Sequence, residues 1–306
     1  MTAPCRRRPR VGHIAFLNCL PLLWGLARTG SLLDLDLTTG HPARLGAALL
    51  SGELDIGPVS LADYLGNTDR LVALPDIAIG SDGPVMSCLI VSRVPLAELD
   101  GRTVSLCSTS RTSVRLARLL LRKRIGVEPR YRVRPPDLRV MLSGADAAVL
   151  IGDPALRAAL LRPAPAGVEV HDLGRLWREW TGLPFVFALF AARRELVERD
   201  PATVREVHAQ LLAARDLGLR EVDRLCGRAA RWEPFDAATL RHYFTRALDY
   251  GLGPRQLLGI AQFTRLAGGP DAGFPADAPL DLLERADTAP GSPGWLPRRN
   301  NNVIVE

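Results

Sequence analysis

Six short loops hold the residues of this sequence that could do chemistry, and each loop lies at one end of a predicted strand. The loops share small hydroxyls, amides, glycines and a few charged groups. Their candidate residues are Leu17 and Asn18; Ser60; Ser81, Asp82, Gly83 and Ser87; Ser110, Arg111, Thr112 and Ser113; Gly152 and Asp153; and Trp177. Hydroxyls, amides and the unpaired N–H groups of a helix N-terminus bind carboxylates and phosphates without lysine. The loops therefore predict a binding site for a small organic anion.

Several of these residues also have a purely structural interpretation. Ser110 can cap the helix that follows it, and Asp153 before Pro154 fits an N-cap with a first-turn proline. Asp82, with the Gly-Pro pair that follows, can form an ordinary turn, and Trp177 can pack in the core. The repetition of the same residue types at six strand ends favours the binding site.

The sequence carries none of the short motifs that usually hold a cofactor or a metal. There is no GxGxxG after the first strand, no GxxxxGK[ST], no GxSxG and no HExxH. The five cysteines are scattered without a CxxC pair, and the five histidines are isolated from one another. We therefore predict no cofactor and no metal, and a site that is polar but poor in acid–base groups.

The net charge of +6 is carried almost entirely by arginine, with Lys123 as the only lysine. Four arginines recur at the spacing of a solvated helix face, namely Arg111, Arg115, Arg118 and Arg122. Because neither aromatic residues nor a motif accompany them, we predict no nucleic-acid partner. No apolar run reaches the roughly 20 residues that span a bilayer, and no apolar stretch follows the N-terminal arginines. We therefore expect a cytoplasmic protein without membrane contact.

Short apolar strands alternate with helical segments along most of the chain, which is typical of an α/β fold. Two strands, 84–92 and 183–192, are longer and more apolar than the rest, and a block with its own helices and strands lies between them. Two such strands predict a double-crossover hinge between two lobes, with the ligand in the cleft. An ordinary single-sheet α/β protein is the alternative.

The predicted lobe limits follow from the positions of these two strands. The first lobe is discontinuous and comprises 1–92 plus 187–267, and the second lobe is the inserted segment 93–186. The segment 268–306 is rich in Pro, Gly, Ala and Asp, so we expect a loosely ordered C-terminal tail. The sequence does not predict an oligomeric state.

Six longer stretches carry a family resemblance. They are AFLNCLPL (15–22), GELDIGPVS (52–60), SDGPVMSCLIVS (81–92), TSRTSV (109–114), LIGDPAL (150–156) and LGRLWREWTGLPFVFALFAAR (173–193). Together they resemble the chorismate dehydratase family of the futalosine route to menaquinone, whose fold is similar to type II periplasmic binding proteins. The resemblance extends weakly through YFTRALDYGLGPRQLLGIAQF (243–263). The sister family of dihydroxynaphthoate synthases opens with a Cys-Pro-Asn-Asp type of loop, whereas this chain has Leu-Asn-Cys-Leu-Pro.

The resemblance implies that chorismate loses water to give 3-[(1-carboxyvinyl)oxy]benzoate. A C–H proton and the hydroxyl leave neighbouring ring carbons and the ring becomes aromatic, so the reaction needs no cofactor. Asn18 and Ser87 are then the catalytic residues, and the other candidates bind the substrate. One carboxylate of the substrate is held at a helix N-terminus by Ser110, Thr112 and Ser113.

The base and the function both leave alternatives open. Because no His, Lys or Glu lies in these loops, we hypothesise that a carboxylate of the substrate removes the proton, with Asp153 and Asp82 as the alternatives within the protein. Arg111 stands where the family commonly has a small residue, so its role is open. The other possible functions are a non-catalytic cytoplasmic binder of an aromatic carboxylate and the sister 1,4-dihydroxy-6-naphthoate synthase.

Overall fold

The computed structural model describes residues 7–160 and 167–284, and within them the chain forms ten strands and twelve α-helices. The strands are β1 (Arg10–Ile14), β2 (Asp36–Gly40), β3 (Ile56–Ser60), β4 (Leu71–Ser81), β5 (Cys88–Ser92), β6 (Thr103–Cys107), β7 (Arg130–Arg134), β8 (Ala147–Ile151), β9 (Glu169–Asp172) and β10 (Phe185–Arg193). The helices are α1 (Leu20–Thr29), α2 (Pro42–Ser51), α3 (Leu61–Leu65), α4 (Thr112–Leu119), α5 (Leu138–Leu142), α6 (Gly152–Leu160), α7 (Leu173–Thr181), α8 (Arg194–Arg199), α9 (Pro201–Arg220), α10 (Val222–Ala229), α11 (Ala237–His242) and α12 (Pro254–Ala267). Helices α4 and α11 continue as the π-helical segments Leu120–Ile125 and Tyr243–Ala247.

The strands form two five-stranded sheets of the same design. The first sheet has the order β2-β1-β3-β10-β4 and the second has the order β7-β6-β8-β5-β9. In each sheet, three parallel strands are followed by one strand that is antiparallel to both of its neighbours. That antiparallel strand is the one that the chain enters from the other lobe. The predicted two-lobed α/β fold with a double crossover is confirmed, and the single-sheet alternative is wrong.

The chain passes between the lobes at 82–87 and at 173–184. Strand β5 pairs along its whole length with the second sheet, and β10 pairs with the first. Of the two strands predicted to be long, β10 spans Phe185–Arg193, whereas β5 begins only at Cys88. Both lie inside the lobes because their backbone groups are used in the sheets, and the segments before them make the crossings. The exact lobe limits, 1–92 plus 187–267 around 93–186, stay a prediction.

Asp172 ties the two crossings together. Its carboxylate accepts hydrogen bonds from the backbone N–H groups of Val85 (3.0 Å) and Met86 (2.7 Å) on the first crossing. It also caps α7, the helix of the second crossing, by accepting from the N–H of Arg175 at 3.0 Å. Met86 has a φ of 63°, which is uncommon for a residue other than glycine. The carboxylate thus fixes the backbone just before Ser87.

A close contact between α1 and α9 positions the first candidate loop. A Cβ at Gly25 would lie 1.9 Å from the carbonyl oxygen of Ala214, and a Cβ at Gly218 would lie 2.0 Å from that of Pro21. Glycine is required at both positions because any side chain would clash with the opposite backbone. The contact holds the N-terminal end of α1, which directly follows the 3₁₀ turn Leu17–Cys19.

The C-terminal segment 268–284 packs against the first lobe. The Tyr64 hydroxyl on α3 donates to the backbone oxygen of Asp281 and accepts from its N–H, both at 2.9 Å. Arg194, the first residue of α8, pairs with the Asp281 carboxylate at 2.5 Å, and Leu283 is buried. Of the tail that the sequence predicted to be loose, residues 285–306 lie outside the described residues.

Candidate active site between the lobes

The first candidate loop meets the second lobe at the start of α6. The backbone N–H of Leu17 donates to the Asp153 carboxylate at 3.0 Å. The Phe16 ring lies against Gly152, where a Cβ would be only 2.7 Å from the ring and φ is +63°. Two predicted site segments from different lobes are therefore in direct contact, and Asn18 follows immediately after the first of them.

Ser87 and Cys88 together connect α6 to α4. Its carbonyl accepts a hydrogen bond from the Gly152 N–H at 2.8 Å. The next residue, Cys88, has its sulfur 3.5 Å from the Ser113 hydroxyl in the first turn of α4. The starts of α6, β5 and α4 therefore form one continuous group of contacts.

A second contact between the lobes joins α4 to α3. The Thr112 hydroxyl accepts from the Ala62 N–H at 3.0 Å, and the Arg111 guanidinium lies 3.2 Å from an Asp63 carboxylate oxygen. The same carboxylate accepts from the Ser60 hydroxyl at 2.8 Å. Ser60 is the N-cap of α3, because its hydroxyl also accepts from the Asp63 backbone N–H at 3.1 Å. Arg111 is engaged with a protein carboxylate.

Two buried tyrosines, neither of them among the site residues predicted from the sequence, complete this region. The Tyr250 hydroxyl donates to the backbone oxygen of Asn18 at 2.8 Å. Tyr243 is 1% exposed, and burial raises its pKa, with smaller effects from the Ser87 hydroxyl, Cys88, Asp153 and Cys19. The signal available in sequence was weak: two of the four tyrosines fall in the segment that follows α11. We call Asn18, Ser87, Thr112, Asp153 and Tyr243 the inter-lobe cluster.

Several buried polar atoms at this junction have no hydrogen-bond partner. Among the described residues, the unpaired buried side-chain atoms are Asn18 Oδ1, Ser81 Oγ, Thr109 Oγ1, Tyr243 Oη and, on α9, Gln210 Oε1. Asn18 and Tyr243 belong to the inter-lobe cluster, and Ser81 and Thr109 stand in two of the predicted site loops. Because nearly all buried polar atoms of folded proteins are paired, this concentration indicates a place where a polar ligand binds.

Burial disfavours the charged forms of the ionisable groups in and beside the inter-lobe cluster. Burial raises the pKa of the Asp153 carboxyl and is the largest cause, opposed by the hydrogen bond from the Leu17 N–H. Arg157 and Glu233, which also act on Asp153, pair with each other at 3.6 Å. Burial likewise raises the pKa of the Cys88 thiol, which is therefore protonated at neutral pH.

Asp82 and Trp177 direct their polar atoms to other partners. The Asp82 carboxylate is paired with Arg178 at 3.0 Å and with Arg255 at 2.7 Å. The Trp177 indole is fully buried among aromatic rings and donates to the Pro184 carbonyl at 3.2 Å. The Trp177 contacts agree with its structural interpretation as a core residue, whereas the two ion pairs of Asp82 were not anticipated. The roles of both residues toward a substrate stay a prediction.

The remaining candidates also make local contacts. The Ser110 hydroxyl accepts from the Ser113 N–H at 3.2 Å, as a residue that caps the first turn of α4 would. Ser81 and the Gly83 carbonyl lie against Gly174, where a Cβ would come within 2.6 Å of the first and 2.4 Å of the second. Ser81 and Gly83 therefore contact the second crossing at Gly174.

The described residues offer no metal site and no membrane span. Nowhere among them do three or more His, Cys, Asp or Glu side chains converge as metal ligands. Across residues 7–160 and 167–284, no helix is both long and apolar enough to cross a bilayer. Two surface cavities, of about 250 and 170 Å³, lie away from the cluster, one beside Arg193 and Arg194 and the other beside Arg115 and Tyr131.

Two lobes built on similar mixed sheets, joined by two crossings and meeting over polar loops, define the class of two-lobed proteins with the periplasmic-binding-protein fold. Protein AF1704 from Archaeoglobus fulgidus has a similar structure, with a TM-score of 0.67, 19% identity, and coverage of 84% of this chain and 96% of that one. The alkanesulfonate-binding protein SsuA from Xanthomonas axonopodis pv. citri, bound to MOPS, has a TM-score of 0.62, 15% identity, and coverage of 86% and 93%. At these identities the similarity shows the fold alone.

The family can be stated more closely. The sequence profile of the menaquinone biosynthesis family matches residues 9–268, and this chain belongs to that family. A chorismate dehydratase from Thermus thermophilus is 37% identical over 243 residues, 76% of this chain and 86% of that protein. A 1,4-dihydroxy-6-naphthoate synthase from the same organism is 33% identical over 150 residues, 49% of this chain and 52% of that protein. The family resemblance inferred from the sequence motifs is confirmed.

Proposed function

We propose that this protein is a chorismate dehydratase, a hydro-lyase that converts chorismate to 3-[(1-carboxyvinyl)oxy]benzoate in menaquinone biosynthesis. The observation that carries the proposal is its 37% identity to the Thermus thermophilus chorismate dehydratase over 86% of that protein. The naphthoate synthase matches over only about half of its length, which favours the dehydratase over the sister activity. The cytoplasmic location stays a prediction.

The chemistry asks little of the protein beyond positioning. Chorismate loses a ring proton and a neighbouring hydroxyl, and aromatisation of the ring supplies the driving force. The protein must hold a small dianion in the geometry from which elimination occurs, and positioning alone can contribute on the order of 7–11 kcal/mol. A cluster of neutral donors between two lobes suits that task, because such donors stabilise negative charge without ionising.

Asn18 and Ser87 are the proposed catalytic residues. The Asn18 side chain presents an unpaired amide oxygen, while its backbone oxygen is held by Tyr250. The Ser87 hydroxyl donates one long hydrogen bond, 3.4 Å, to the Val85 carbonyl of its own segment. Both groups are therefore available to orient the substrate and to stabilise charge that develops on it.

A carboxylate of the substrate is the proposed base. Within the protein, Asp82 is held by two arginines, and Asp153 is committed to the Leu17 N–H while burial raises its pKa. A raised pKa makes Asp153 a possible base in principle, so it stays the alternative. A substrate carboxylate needs no such group from the protein.

Substrate must enter when the lobes part, since in this structure they touch on both sides of the cluster. One set of contacts joins Leu17 to Asp153, and the other joins Ala62 to Thr112. Closure of this kind excludes water and completes a site that draws its residues from both lobes.

The test is to incubate the purified protein with chorismate and to follow the product by absorbance and mass spectrometry. The proposal predicts a product lighter than chorismate by one water, with the absorbance of an aromatic ring, formed in proportion to protein concentration. A heat-denatured sample gives the uncatalysed background. Binding of chorismate without any conversion would instead identify a non-catalytic binder and would contradict the proposal.

A further inference from the structure

Tyr243 is the group in the inter-lobe cluster that the proposed function has not yet used. It begins the π-helical segment Tyr243–Ala247, at the point where α11 ends. The side chain is 1% exposed, and its hydroxyl forms no hydrogen bond. A buried hydroxyl without a partner destabilises a protein, so a residue of this kind is retained for another reason.

The groups that act on the Tyr243 hydroxyl come from three separate parts of the chain. Cys19 follows Asn18 in the first loop, Ser87 and Cys88 stand at the start of β5, and Asp153 lies in the first turn of α6. The Ser87 hydroxyl opposes part of the rise that burial causes in the pKa of Tyr243, although the Tyr243 hydroxyl has no partner with full hydrogen-bond geometry. The phenol therefore lies among residues of the candidate loops.

We propose that, with chorismate bound, the Tyr243 hydroxyl donates a hydrogen bond to an oxygen of the substrate, an inference that rests on the proposed function. A phenol that stays protonated is a donor, and a dianion offers only acceptors at its carboxylates. Arg111 and Arg157 are each paired with a carboxylate of the protein, so neutral donors remain to hold the anion. Tyr243 is then a catalytic residue in the strict sense of touching the substrate.

Tyr64 provides a matched control. Like Tyr243 it is fully buried, but its hydroxyl both donates to and accepts from the Asp281 backbone. Replacing either tyrosine by phenylalanine removes one buried oxygen atom and leaves the ring in place. A structural hydroxyl and a substrate-binding hydroxyl should therefore respond in opposite ways.

The experiment compares wild type, Tyr243→Phe and Tyr64→Phe by steady-state kinetics with chorismate, by calorimetric binding of the product and by thermal unfolding. For Tyr243→Phe we expect kcat/KM to fall about 10- to 100-fold, the range for one hydrogen bond to a charged group. Its unfolding midpoint should be unchanged or higher, because no protein hydrogen bond is lost. For Tyr64→Phe we expect kcat/KM to stay unchanged and the midpoint to fall by a few degrees.

The division between kcat and affinity locates the contact. A fall in kcat at constant product affinity places the hydrogen bond on the departing hydroxyl, and a loss of affinity places it on a carboxylate; both support the proposal. Wild-type kcat/KM and affinity in Tyr243→Phe, or a lowered midpoint like that of Tyr64→Phe, would overturn it. If the wild type itself fails to convert chorismate, the proposed function is wrong. Calorimetric binding of chorismate to wild type and to Tyr243→Phe then still decides whether Tyr243 contacts the ligand.

Discussion

The C-terminal segment 268–284 and the inter-lobe cluster treat buried polar groups in opposite ways. In the first region, the Tyr64 hydroxyl and the backbone of Asp281 satisfy each other, and Arg194 pairs with the Asp281 carboxylate. In the second region, the amide oxygen of Asn18 and the hydroxyl of Tyr243 are buried and unpaired. Both regions are made from one chain under the same energetic rules, so the difference needs a reason.

The comparison teaches how to separate polar groups that hold the fold from those that serve the ligand. A hydrogen bond between two buried groups contributes about 1 kcal/mol to the free energy of unfolding. Removing one partner leaves the other buried without a hydrogen bond, which lowers stability further. An unpaired buried group has no protein partner to lose, so removing it should spare the fold. Substitutions in the C-terminal segment should therefore lower stability and leave activity unchanged, whereas substitutions of the unpaired groups in the inter-lobe cluster should lower activity and leave stability unchanged.

The largest expected effect on activity is that of Asn18→Ala. We expect kcat to fall at least about 100-fold, because the side chain that orients the substrate and stabilises its charge is gone. The midpoint of urea unfolding should stay near that of wild type, since the Tyr250 hydrogen bond goes to the backbone oxygen, which alanine retains. Initial rates and denaturant unfolding measure the two effects. Near-normal turnover would remove Asn18 from the mechanism.

Asp172→Ala is a mixed case, since Asp172 serves the fold and the site together. Three backbone N–H groups would lose their acceptor, at a total cost of about 2–4 kcal/mol in unfolding free energy. The first crossing, which carries Ser87, would loosen, so we expect kcat to fall about tenfold, in line with a lost positioning contribution. Denaturant unfolding and initial rates measure both.

The matched control for that substitution is Asp137→Ala. Asp137 caps α5 by accepting from the Val140 N–H at 3.0 Å, and no crossing depends on it. It should cost about 1 kcal/mol, as other N-caps do, with unchanged kcat. Equal kinetic losses in the two variants would show that Asp172 acts only through general stability.

The convergence of the loops could be anticipated from sequence because polar loops at strand ends meet where two lobes face each other. The contacts from Leu17 to Asp153 and from Gly152 to Ser87 are the outcome of that rule. The partners could not be anticipated. Tyr250 is 232 residues from the Asn18 carbonyl that it binds, and Tyr243, beside Phe244 in a helical segment, looks in sequence like any core residue.

Asp82 and Trp177, whose polar atoms bind other protein groups, also show that tertiary partners cannot be predicted from the sequence. The sequence around Asp82 does not predict its ion pairs with Arg178 and Arg255, because both arginines lie on other helices that the fold brings beside it. Trp177 lies next to glycine and polar residues, yet its ring packs against Phe185 of β10 and Phe263 of α12. Residue type and spacing therefore predict where polar groups gather, but tertiary packing decides which of them stay free.

Asp153→Asn tests the base and the electrostatics of the cluster in one protein. If the substrate supplies the base, turnover should stay within about tenfold of wild type, because the asparagine amide oxygen can still accept from the Leu17 N–H. A loss of several orders of magnitude would assign the base to Asp153 and contradict the substrate-assisted proposal.

The same variant should have a distinctive pH dependence of stability. Burial raises the pKa of Asp153 in the folded state, so the stabilising effect of its protonated form is present below the unfolded pKa of about 4 and is lost as pH rises through the folded pKa. Asparagine cannot ionise. We therefore expect the urea midpoint of Asp153→Asn, relative to wild type, to rise between about pH 4 and pH 7. A constant difference over that range would show that ionisation of Asp153 is not penalised.

The smallest effect should be that of Arg111→Ala. The Arg111 side chain is 65% exposed and pairs with Asp63, whose side chain is 14% exposed, so the unfolding free energy should change by less than about 1 kcal/mol. Because Arg111 already neutralises a protein carboxylate, we expect KM for chorismate to rise less than about threefold, whereas a direct ion pair with the substrate would raise it tenfold or more. The double variant Arg111→Ala/Asp63→Asn separates the two cases. If Arg111 acts only on Asp63, its removal has no further effect on KM once Asp63 is neutral; a rise in KM that persists in the double variant would place the guanidinium on the substrate and move Arg111 into the inter-lobe site.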